Sequence, residues 1–189
     1  MPELPVEIWE DRLNNEFSNL KNLKVVQPDS IIWHENNVEL IINIKAIGFV
    51  LGLDGNPMNL MPKTHHKIFL KINRSFPYPG GIDFAWQSSI FHPNIHPVKI
   101  ASTRELGTGY ICLNVLKQWS RLSDLENTVK ALQKLVENPN PDDPLKYDIC
   151  MKAAEYFKEH TIENLKDRFN LEDKDADEGD DDDIIVIDD

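Results

Sequence analysis

Apolar residues recur at helical spacing near the beginning of the chain. They lie three or four positions apart, at Val6, Trp9, Leu13, Phe17 and Leu20. This spacing places them on one face of an amphipathic helix, with polar residues on the opposite face. Pro5 suits the first position of a helix, where its missing N–H costs nothing. The pattern therefore predicts a helix that begins near Pro5 and ends near Leu23.

Three later stretches alternate apolar and polar positions, which is the pattern of half-buried β-strands. Their apolar positions are Val38, Leu40, Ile42 and Ile44, then Ile68, Leu70 and Ile72, and then Ile82, Phe84 and Trp86. Short apolar runs on both sides of a turn signal at Pro28-Asp29-Ser30 add a further strand. These patterns predict an antiparallel meander of about four strands. Residues 48–62 are rich in Gly and Pro and are predicted to form a long loop.

The stretch from Phe91 to Trp119 shows neither period and is predicted to be mostly ordered loop. A long segment of this kind inside a domain is usually functional. Helical signals then return. Ser123-Asp124-Leu125-Glu126 has the pattern of a capping box, and Pro139 ends the apolar stripe behind it. The order of a helix, a meander, a long loop and further helices predicts an α+β fold.

Two more helix starts are predicted towards the end of the chain. Asp143-Pro144 resembles an N-cap followed by proline in the first turn. Thr161 is suited to cap a last helix. Cys150 falls on the apolar stripe of the helix between them, so it is predicted to belong to the core.

Charge divides the chain into a body and a tail. The 189 residues carry a net charge of −12, and 11 acidic residues against one Lys lie between Glu172 and Asp189. We expect a globular body at residues 1–171 and a tail at residues 172–189 that is too acidic to fold alone. The body lacks a cluster of Lys and Arg, so nucleic acid is not an expected partner. No apolar run reaches about 20 residues, so a membrane is not expected either.

Four motifs follow one another in the second half of the body. They are His92-Pro93-Asn94, Ile111-Cys112-Leu113, Trp119-Ser120, and Asn138-Pro139 followed by Asp142-Asp143-Pro144-Leu145. In this order they resemble the ubiquitin-conjugating enzymes, and the resemblance runs from the first helix to about Phe169. It implies the fold of that family, with an N-terminal helix, a four-stranded antiparallel meander and C-terminal helices. It also implies that residues 1–171 are the conjugating core, without a cofactor.

The chemistry of such a site requires a reachable thiol. Cys112 lies in the long loop and not on an apolar stripe, whereas a free Cys in other settings is often a small buried hydrophobe. A free thiol has a pKa of about 8.5, so a small fraction is thiolate near neutral pH. A cysteine hydrolase would need His92 as its base, and nothing else in the loop supports that reading. The histidines and the two cysteines are not spaced as metal ligands.

The resemblance assigns roles to single residues. Cys112 corresponds to the nucleophile that carries the modifier as a thioester. Asn94 corresponds to an amide donor for the oxyanion, with ordering of the loop as the alternative. Asp143 corresponds to the carboxylate that orients the lysine, although capping a helix is an alternative or additional role. His92 is expected to be structural, with its ring hydrogen-bonded to the backbone, and Asn114 is a candidate residue of the groove.

Partner contacts are implied in the same way. The turn at Phe76–Gly81 suggests that Tyr78 and Pro77 contact a RING-type ligase, together with Arg121 and Leu122 in a second loop. Arg12 on the first helix is the candidate contact for an activating enzyme. The connection from Asn94 to Cys112 is longer than usual in the family. Residues 99–107 look inserted and are expected to overhang the catalytic groove.

The tail contains a short apolar motif within acidic residues. Ile184, Ile185, Val186 and Ile187 are strand formers bracketed by aspartates. Such a segment can add as a strand to an exposed sheet edge, and it resembles motifs that bind modifiers of the SUMO type. A solubilising tail and a contact within the chain remain the alternatives.

These observations predict an enzyme that accepts ubiquitin or a ubiquitin-like modifier from an activating enzyme. It would hold the modifier as a thioester on Cys112 and pass it to a lysine of a substrate protein. A non-catalytic scaffold that binds a modifier on the same fold is the alternative, and a cysteine hydrolase is a third. Two cysteines are too few for a disulfide framework, so a reducing compartment is expected. The expected location is the cytoplasm, and also the nucleus if the source is eukaryotic.

Overall fold

A four-stranded antiparallel sheet forms the centre of the fold, and helices flank it. The computed structural model describes residues 3–26, 28–101, 103, 105–117 and 122–171. The helices are α1 (Val6–Asn22), α2 (Leu113–Leu116), α3 (Leu125–Glu137), α4 (Asp148–Glu159) and α5 (Ile162–Arg168). The strands are β1 (Ile32–Trp33), β2 (Asn37–Leu51), β3 (Leu60–Asn73), β4 (Ile82–Trp86), β5 (Ile95–His96) and β6 (Tyr110–Ile111).

The predicted meander is confirmed. The strands lie in the order β1, β2, β3, β4, and each pairs antiparallel with the next. The register places Leu40 opposite Leu70 and Leu70 opposite Phe84. The alternating apolar positions therefore face the same side of the sheet, which is why the period-two pattern located the strands correctly.

The prediction of a long loop at residues 48–62 is wrong. β2 continues to Leu51 and β3 begins at Leu60, so the connection between them is only eight residues long, at 52–59. The register shifts between Lys45 and Gly48. Before the shift the even-numbered residues of β2 are buried, and after it Phe49 and Leu51 are buried instead. An irregularity of this kind exchanges the faces of a strand.

Gly48 explains why this part of β2 looked like a loop. A Cβ atom at this position would lie 3.0 Å from Cγ1 of Val136 in α3 and 3.1 Å from Cε1 of His66. The glycine therefore permits close packing between strand and helix and does not mark a turn. A glycine inside a strand often marks such a close approach.

Two adjoining clusters of buried side chains form the core. The larger cluster joins the sheet to α1 and α3, and it includes Trp9, Leu13, Leu40, Leu70 and Leu132. The smaller cluster joins the far end of β2 and β3 to α4 and α5, and it includes Phe49, Leu60, Phe157 and Leu165. The shift in β2 thus lets one strand contribute to both clusters.

The segment after Phe91 is more regular than its sequence predicted. β5 and β6 pair antiparallel, with Ile95 opposite Ile111 and His96 opposite Tyr110. The helical turn α2 follows directly. These elements are too short for a periodic pattern, since two residues of strand or four of helix span only about one period and cannot show a repeat.

Two predicted caps are corrected. The N-cap of α3 is Asp124 and not Ser123, because the Asp124 carboxylate accepts the N–H of Asn127. Asp143 does not cap a helix, since α4 begins at Asp148 with Tyr147 as its N-cap residue. The cap at Thr161 is confirmed by its hydroxyl, which accepts the N–H of Asn164. Pro5 stands at the N-cap of α1, one position earlier than predicted.

A second carboxylate reaches the beginning of α3. Oε2 of Glu16 accepts the N–H of Leu125 at 2.9 Å. Glu16 is buried, and this burial raises the pKa of its carboxyl group. The first turn of α3 therefore has two of its free N–H groups satisfied by carboxylates, one from its own cap and one from α1.

Among the residues that the structure describes, every helix is too short or too polar to cross a bilayer. Over the same residues, no group of three or more His, Cys, Asp and Glu side chains is arranged to hold a metal ion.

The cap assignment predicts unequal effects of two neighbouring substitutions. Asp124→Ala is expected to lower the free energy of unfolding by about 1 kcal/mol, because the N–H of Asn127 loses its acceptor. Ser123→Ala is the matched control and is expected to change it by less than about 0.5 kcal/mol. Urea unfolding of both variants measures the difference. Equal losses would show that the cap is misassigned.

Candidate active site

Cys112 lies between β6 and α2, at the N-cap position of that short helix. Its main-chain N–H donates to the carbonyl of Asn94 at 2.9 Å, which continues the β5–β6 pairing by one position. The thiol is free and half-buried. Cys112 is thus partly accessible beside the larger core cluster, and its backbone is hydrogen-bonded on both sides, to Asn94 and to Leu116.

The other cysteine has a different environment. Cys150 in α4 is fully buried, and its Sγ donates to the carbonyl of Ile95 at 3.4 Å. Burial raises the pKa of the Cys150 thiol to about 12. This thiol is therefore protonated and shielded near neutral pH, in agreement with the core position predicted for it.

Asn94 is completely buried and joins two segments that are distant in the sequence. Its Nδ2 donates to the carbonyls of Asn140 at 3.0 Å and Asp143 at 2.9 Å. Its Oδ1 accepts the N–H of Asn140 at 2.7 Å. Both amide hydrogens therefore have carbonyl partners, so donation to an oxyanion would require one of these bonds to open. The geometry favours the alternative in which Asn94 orders the loop.

Asp143 lies on the loop between α3 and α4. Its carbonyl is held by Asn94, and the next main-chain anchor is the N–H of Leu145, which donates to the carbonyl of Pro93 at 2.9 Å. The residue is exposed, and its carboxylate makes no hydrogen bond or ion pair to another described residue. A fixed backbone with an uncommitted carboxylate is the arrangement that a contact to an incoming amine needs.

His92 has the hydrogen bonds to the backbone that were predicted. Its Nε2 donates to the carbonyl of Leu135 at 2.9 Å, and its Nδ1 accepts the N–H of Asn94 at 3.0 Å. These two partners require the neutral ring with hydrogen on Nε2. Burial lowers the pKa of His92 to about 3. With both nitrogens occupied, the ring does not offer a base to Cys112.

A second buried histidine lies near His92. His66 in β3 is buried, and its Nε2 donates to the carbonyl of Ala46 at 3.1 Å. Burial lowers the pKa of His66 to about 4. The adjacent His65 is exposed. Both buried imidazoles are therefore neutral near pH 7.

The predicted ligase contacts that the structure describes lie on two features, the turn between β3 and β4 and the segment just before α3. Tyr78 is exposed, and Pro77 beside it is half-buried, in the turn between β3 and β4. Leu122 is half-buried against the larger core cluster and has a positive φ of 58°. Arg121, like Trp119 and Ser120, lies outside the described residues, as do Ile184, Ile185, Val186 and Ile187 of the tail.

Arg12 connects α1 to both of these features. Its guanidinium donates to the carbonyl of Ser123 at 2.9 Å and lies 5.2 Å from the ring centroid of Phe76. It also pairs with Glu16 at 3.4 Å. The side chain predicted to meet an activating enzyme is thus already packed between the two candidate ligase-contacting segments. Glu16 was not predicted from the sequence, and its only signal was the four-residue spacing from Arg12.

Asn114, the candidate residue of the groove, is exposed in α2, two residues after Cys112.

Two residues near the site, His96 and Tyr147, were not predicted from the sequence. The ring of His96 in β5 stacks on that of Tyr147, with centroids 3.8 Å apart and planes inclined by 7°. Neither residue belongs to a motif, and the contact joins positions on separate segments. No local pattern could have revealed this pair.

The fold and the site define a class of protein. An N-terminal helix, a four-stranded antiparallel sheet and C-terminal helices, with a cysteine after the segment His92-Pro93-Asn94, make up the ubiquitin-conjugating fold. The structure aligns with that of S. cerevisiae Ubc12 over 88% of this chain and 78% of that protein, with a TM-score of 0.52 and 20% identity. This likeness concerns the fold alone.

The sequence comparisons identify the family. The family described as "Ubiquitin-conjugating enzyme" matches residues 12–167, and the chain belongs to this family. "Protein PEROXIN-4" of Arabidopsis thaliana is 28% identical over 140 residues, which cover 72% of this chain and 77% of that protein. "Ubiquitin-conjugating enzyme E2 N" of Drosophila melanogaster is 29% identical over 127 residues, which cover 62% and 79%. Membership implies a ubiquitin-like modifier, an activating enzyme and a ligase as general partners.

The two thiols are expected to differ in reactivity. Iodoacetamide at pH 8 should label Cys112 in the folded protein and leave Cys150 unlabelled, because a thiolate must form and be reached before it reacts. Peptide mass spectrometry before and after denaturation locates the adducts. Labelling of Cys150 in the folded state at the rate of Cys112 would contradict the structure.

The buried histidines predict acid sensitivity. Both rings have a lower pKa folded than unfolded, so their contribution is present above pH 6.5 and is lost as the pH falls towards their folded values. Between pH 7 and pH 5 each should remove about 2 kcal/mol from the free energy of unfolding. Urea unfolding at both pH values measures this. His66→Gln should reduce the pH dependence by about 2 kcal/mol.

His65→Gln is the matched control for that variant, at the neighbouring exposed position. An equal change in the pH dependence for both substitutions would show that the buried ring is not its source.

Proposed function

We propose that this protein accepts ubiquitin or a ubiquitin-like modifier as a thioester on Cys112 and transfers it to a lysine of a substrate protein. The transfer normally requires a ligase. The observation that carries the proposal is the free, half-buried thiol of Cys112, whose backbone is bonded to Asn94. The same Asn94 holds the loop of Asp143, so thiol and carboxylate belong to one hydrogen-bonded unit.

Loading is an exchange of thioesters. The Cys112 thiolate attacks the thioester carbonyl carbon at the carboxyl end of the modifier, which is attached to a cysteine of the activating enzyme. A new C–S bond forms, the old C–S bond breaks, and the cysteine of the activating enzyme leaves as a thiolate. Because a thioester is already activated, the exchange needs no strong base beside Cys112. This agrees with the occupied nitrogens of His92.

Transfer is an aminolysis. The lysine amine attacks the same carbonyl carbon, and Cys112 leaves as a thiolate when the C–S bond breaks. The attacking nitrogen must lose a proton, and Asp143 is the proposed group that orients the amine and assists this loss. Its exposed carboxylate and fixed backbone support this role. Asn114, exposed in α2, is proposed to line the groove for the modifier.

Asn94 has two proposed contributions. The first is to hold Asn140 and Asp143 in place, which its three side-chain hydrogen bonds support. The second is the oxyanion contact implied by the family, for which one Nδ2 hydrogen would have to leave its carbonyl partner. Removal of an oxyanion donor typically slows a reaction by about 10²–10³.

The partner surfaces follow from the same resemblance. Tyr78 and Pro77 in one turn, and Arg121 and Leu122 in the other, are proposed to contact a RING-type ligase. Arg12 is proposed to lie at the contact with the activating enzyme. Arg12 donates a hydrogen bond to the Ser123 carbonyl, next to the second loop. An activating enzyme that bound the guanidinium and broke this bond would therefore also affect the proposed ligase surface.

The tail is proposed to bind a modifier or another partner. Ile184, Ile185, Val186 and Ile187 would add as a strand to a sheet edge, and the surrounding aspartates would meet basic residues of the partner. The alternatives are that the acidic tail keeps the protein in solution or that it contacts another part of the same chain.

A thioester assay tests the proposal. The full chain is incubated with ATP, ubiquitin and its activating enzyme, and in parallel with a ubiquitin-like modifier and its own activating enzyme. A non-reducing gel should show an adduct that disappears on addition of thiol. Cys112→Ala should abolish the adduct, whereas Cys150→Ala, the matched control, should retain it.

The rival functions give different results in this assay. A scaffold would bind the modifier without a thiol-sensitive adduct, and a cysteine hydrolase would cleave a modifier fusion and not transfer it. Either result, with a folded protein, would contradict the proposed transfer on Cys112.

A further inference from the structure

The long connection between Asn94 and Cys112 is attached to the sheet. The insert base, defined as residues 97–99 and 106–109, makes main-chain bonds to the end of β4. The N–H of Val98 donates to the carbonyl of Trp86, and the N–H of Trp86 donates to the carbonyl of Gly109, both at 2.8 Å. Within the insert base, the N–H of Gly107 donates to the carbonyl of Val98 at 2.8 Å. These bonds therefore fix the insert base to the end of β4.

One imidazole joins the insert base to the rest of the site. Nδ1 of His96 accepts the N–H of Thr108 at 3.2 Å and lies 2.8 Å from its hydroxyl oxygen. Burial lowers the pKa of His96, which favours the neutral ring that this acceptor needs. Gly107 lies against the ring, because a Cβ atom there would be 3.1 Å from Cε1 of His96 and would overlap the carbonyl oxygen of Pro97.

The other contact of this imidazole is the ring of Tyr147. The two rings are nearly parallel, with centroids 3.8 Å apart. Tyr147 ends the loop that carries Asp143, and its N–H donates to the carbonyl of Leu145 at 2.9 Å. Asp143 thus lies between two anchors. The bonds from Asn94 hold one side, and the stack of Tyr147 on His96 holds the other.

We propose that His96 and Tyr147 are positioning residues through which the insert base sets the place of the Asp143 carboxylate relative to Cys112. This inference rests on the proposed function. In the aminolysis step, the amine forms a C–N bond to the thioester carbon, the C–S bond to Cys112 breaks, and the excess proton passes to Asp143 or water. The stack acts on the geometry of this step and not on loading, which does not use Asp143.

The variants separate the stack from other effects. Tyr147→Ala removes one ring, whereas Tyr147→Phe keeps it and should restore the rate. His96→Asn keeps an acceptor near Thr108 but loses the stack, so it should resemble Tyr147→Ala. His160→Ala is the matched control. Its ring stacks on Tyr156 with centroids 4.2 Å apart and planes inclined by 8°, at the far end of α4.

The test uses the full chain and needs no activating enzyme or ligase. A peptide thioester of a small thiol acylates Cys112 by exchange, and free lysine is then added. The rates of aminolysis and of hydrolysis by water are followed by mass spectrometry. Misplacement of a reacting group by about 1 Å can cost about 10²-fold, and a weaker displacement here should slow aminolysis by about tenfold. Hydrolysis should change by less than about twofold, because attack by water on the thioester does not depend on an amine that Asp143 must orient.

The outcomes distinguish the inference from the function on which it rests. Slower aminolysis at constant hydrolysis in Tyr147→Ala, with recovery in Tyr147→Phe, supports the positioning role. Equal aminolysis in the wild type and Tyr147→Ala overturns it, as does equal slowing by His160→Ala. If the wild type does not acylate at Cys112 at all, the proposed function itself fails.

Discussion

The buried carboxamide of Asn94 is the contact on which the rest of the candidate site depends. It bonds to Asn140 and Asp143 on one side, while the carbonyl of the same residue bonds to Cys112 on the other. Because the residue is fully buried, loss of a partner would leave a polar group without water and cost about 1–3 kcal/mol. One residue therefore holds the thiol and the carboxylate loop in a common frame.

This frame is tied to the helices through a continuous set of contacts. Glu16 of α1 accepts the N–H of Leu125 in the first turn of α3. The carbonyl of Leu135, near the end of α3, accepts a hydrogen bond from Nε2 of His92. His92 in turn accepts the N–H of Asn94. The helix with the predicted contact for an activating enzyme is thus joined by packing and hydrogen bonds to the segment beside the thiol. The same interior that stabilises the fold also orients the site.

The accuracy of the sequence predictions followed the length of each pattern. α1 and the strands around Leu40, Leu70 and Phe84 were predicted correctly, because several periods of buried positions lie within each. The loop predicted at 48–62 was wrong, since Gly48 serves packing against Val136 and not a turn. β5 and β6 were missed because two residues cannot show alternation.

The sequence by itself determined which thiol is the candidate nucleophile, where the longer helices and strands lie, and which family the motifs resemble, because these depend on residue type and local spacing. Only the tertiary structure decided how Asn94 uses its amide hydrogens, that Asp143 caps no helix, and that His96 meets Tyr147. The hydrogen bonds of Asn94 and the stack of His96 on Tyr147 join residues more than 40 positions apart. Such contacts arise from packing of whole elements, and no local pattern encodes them.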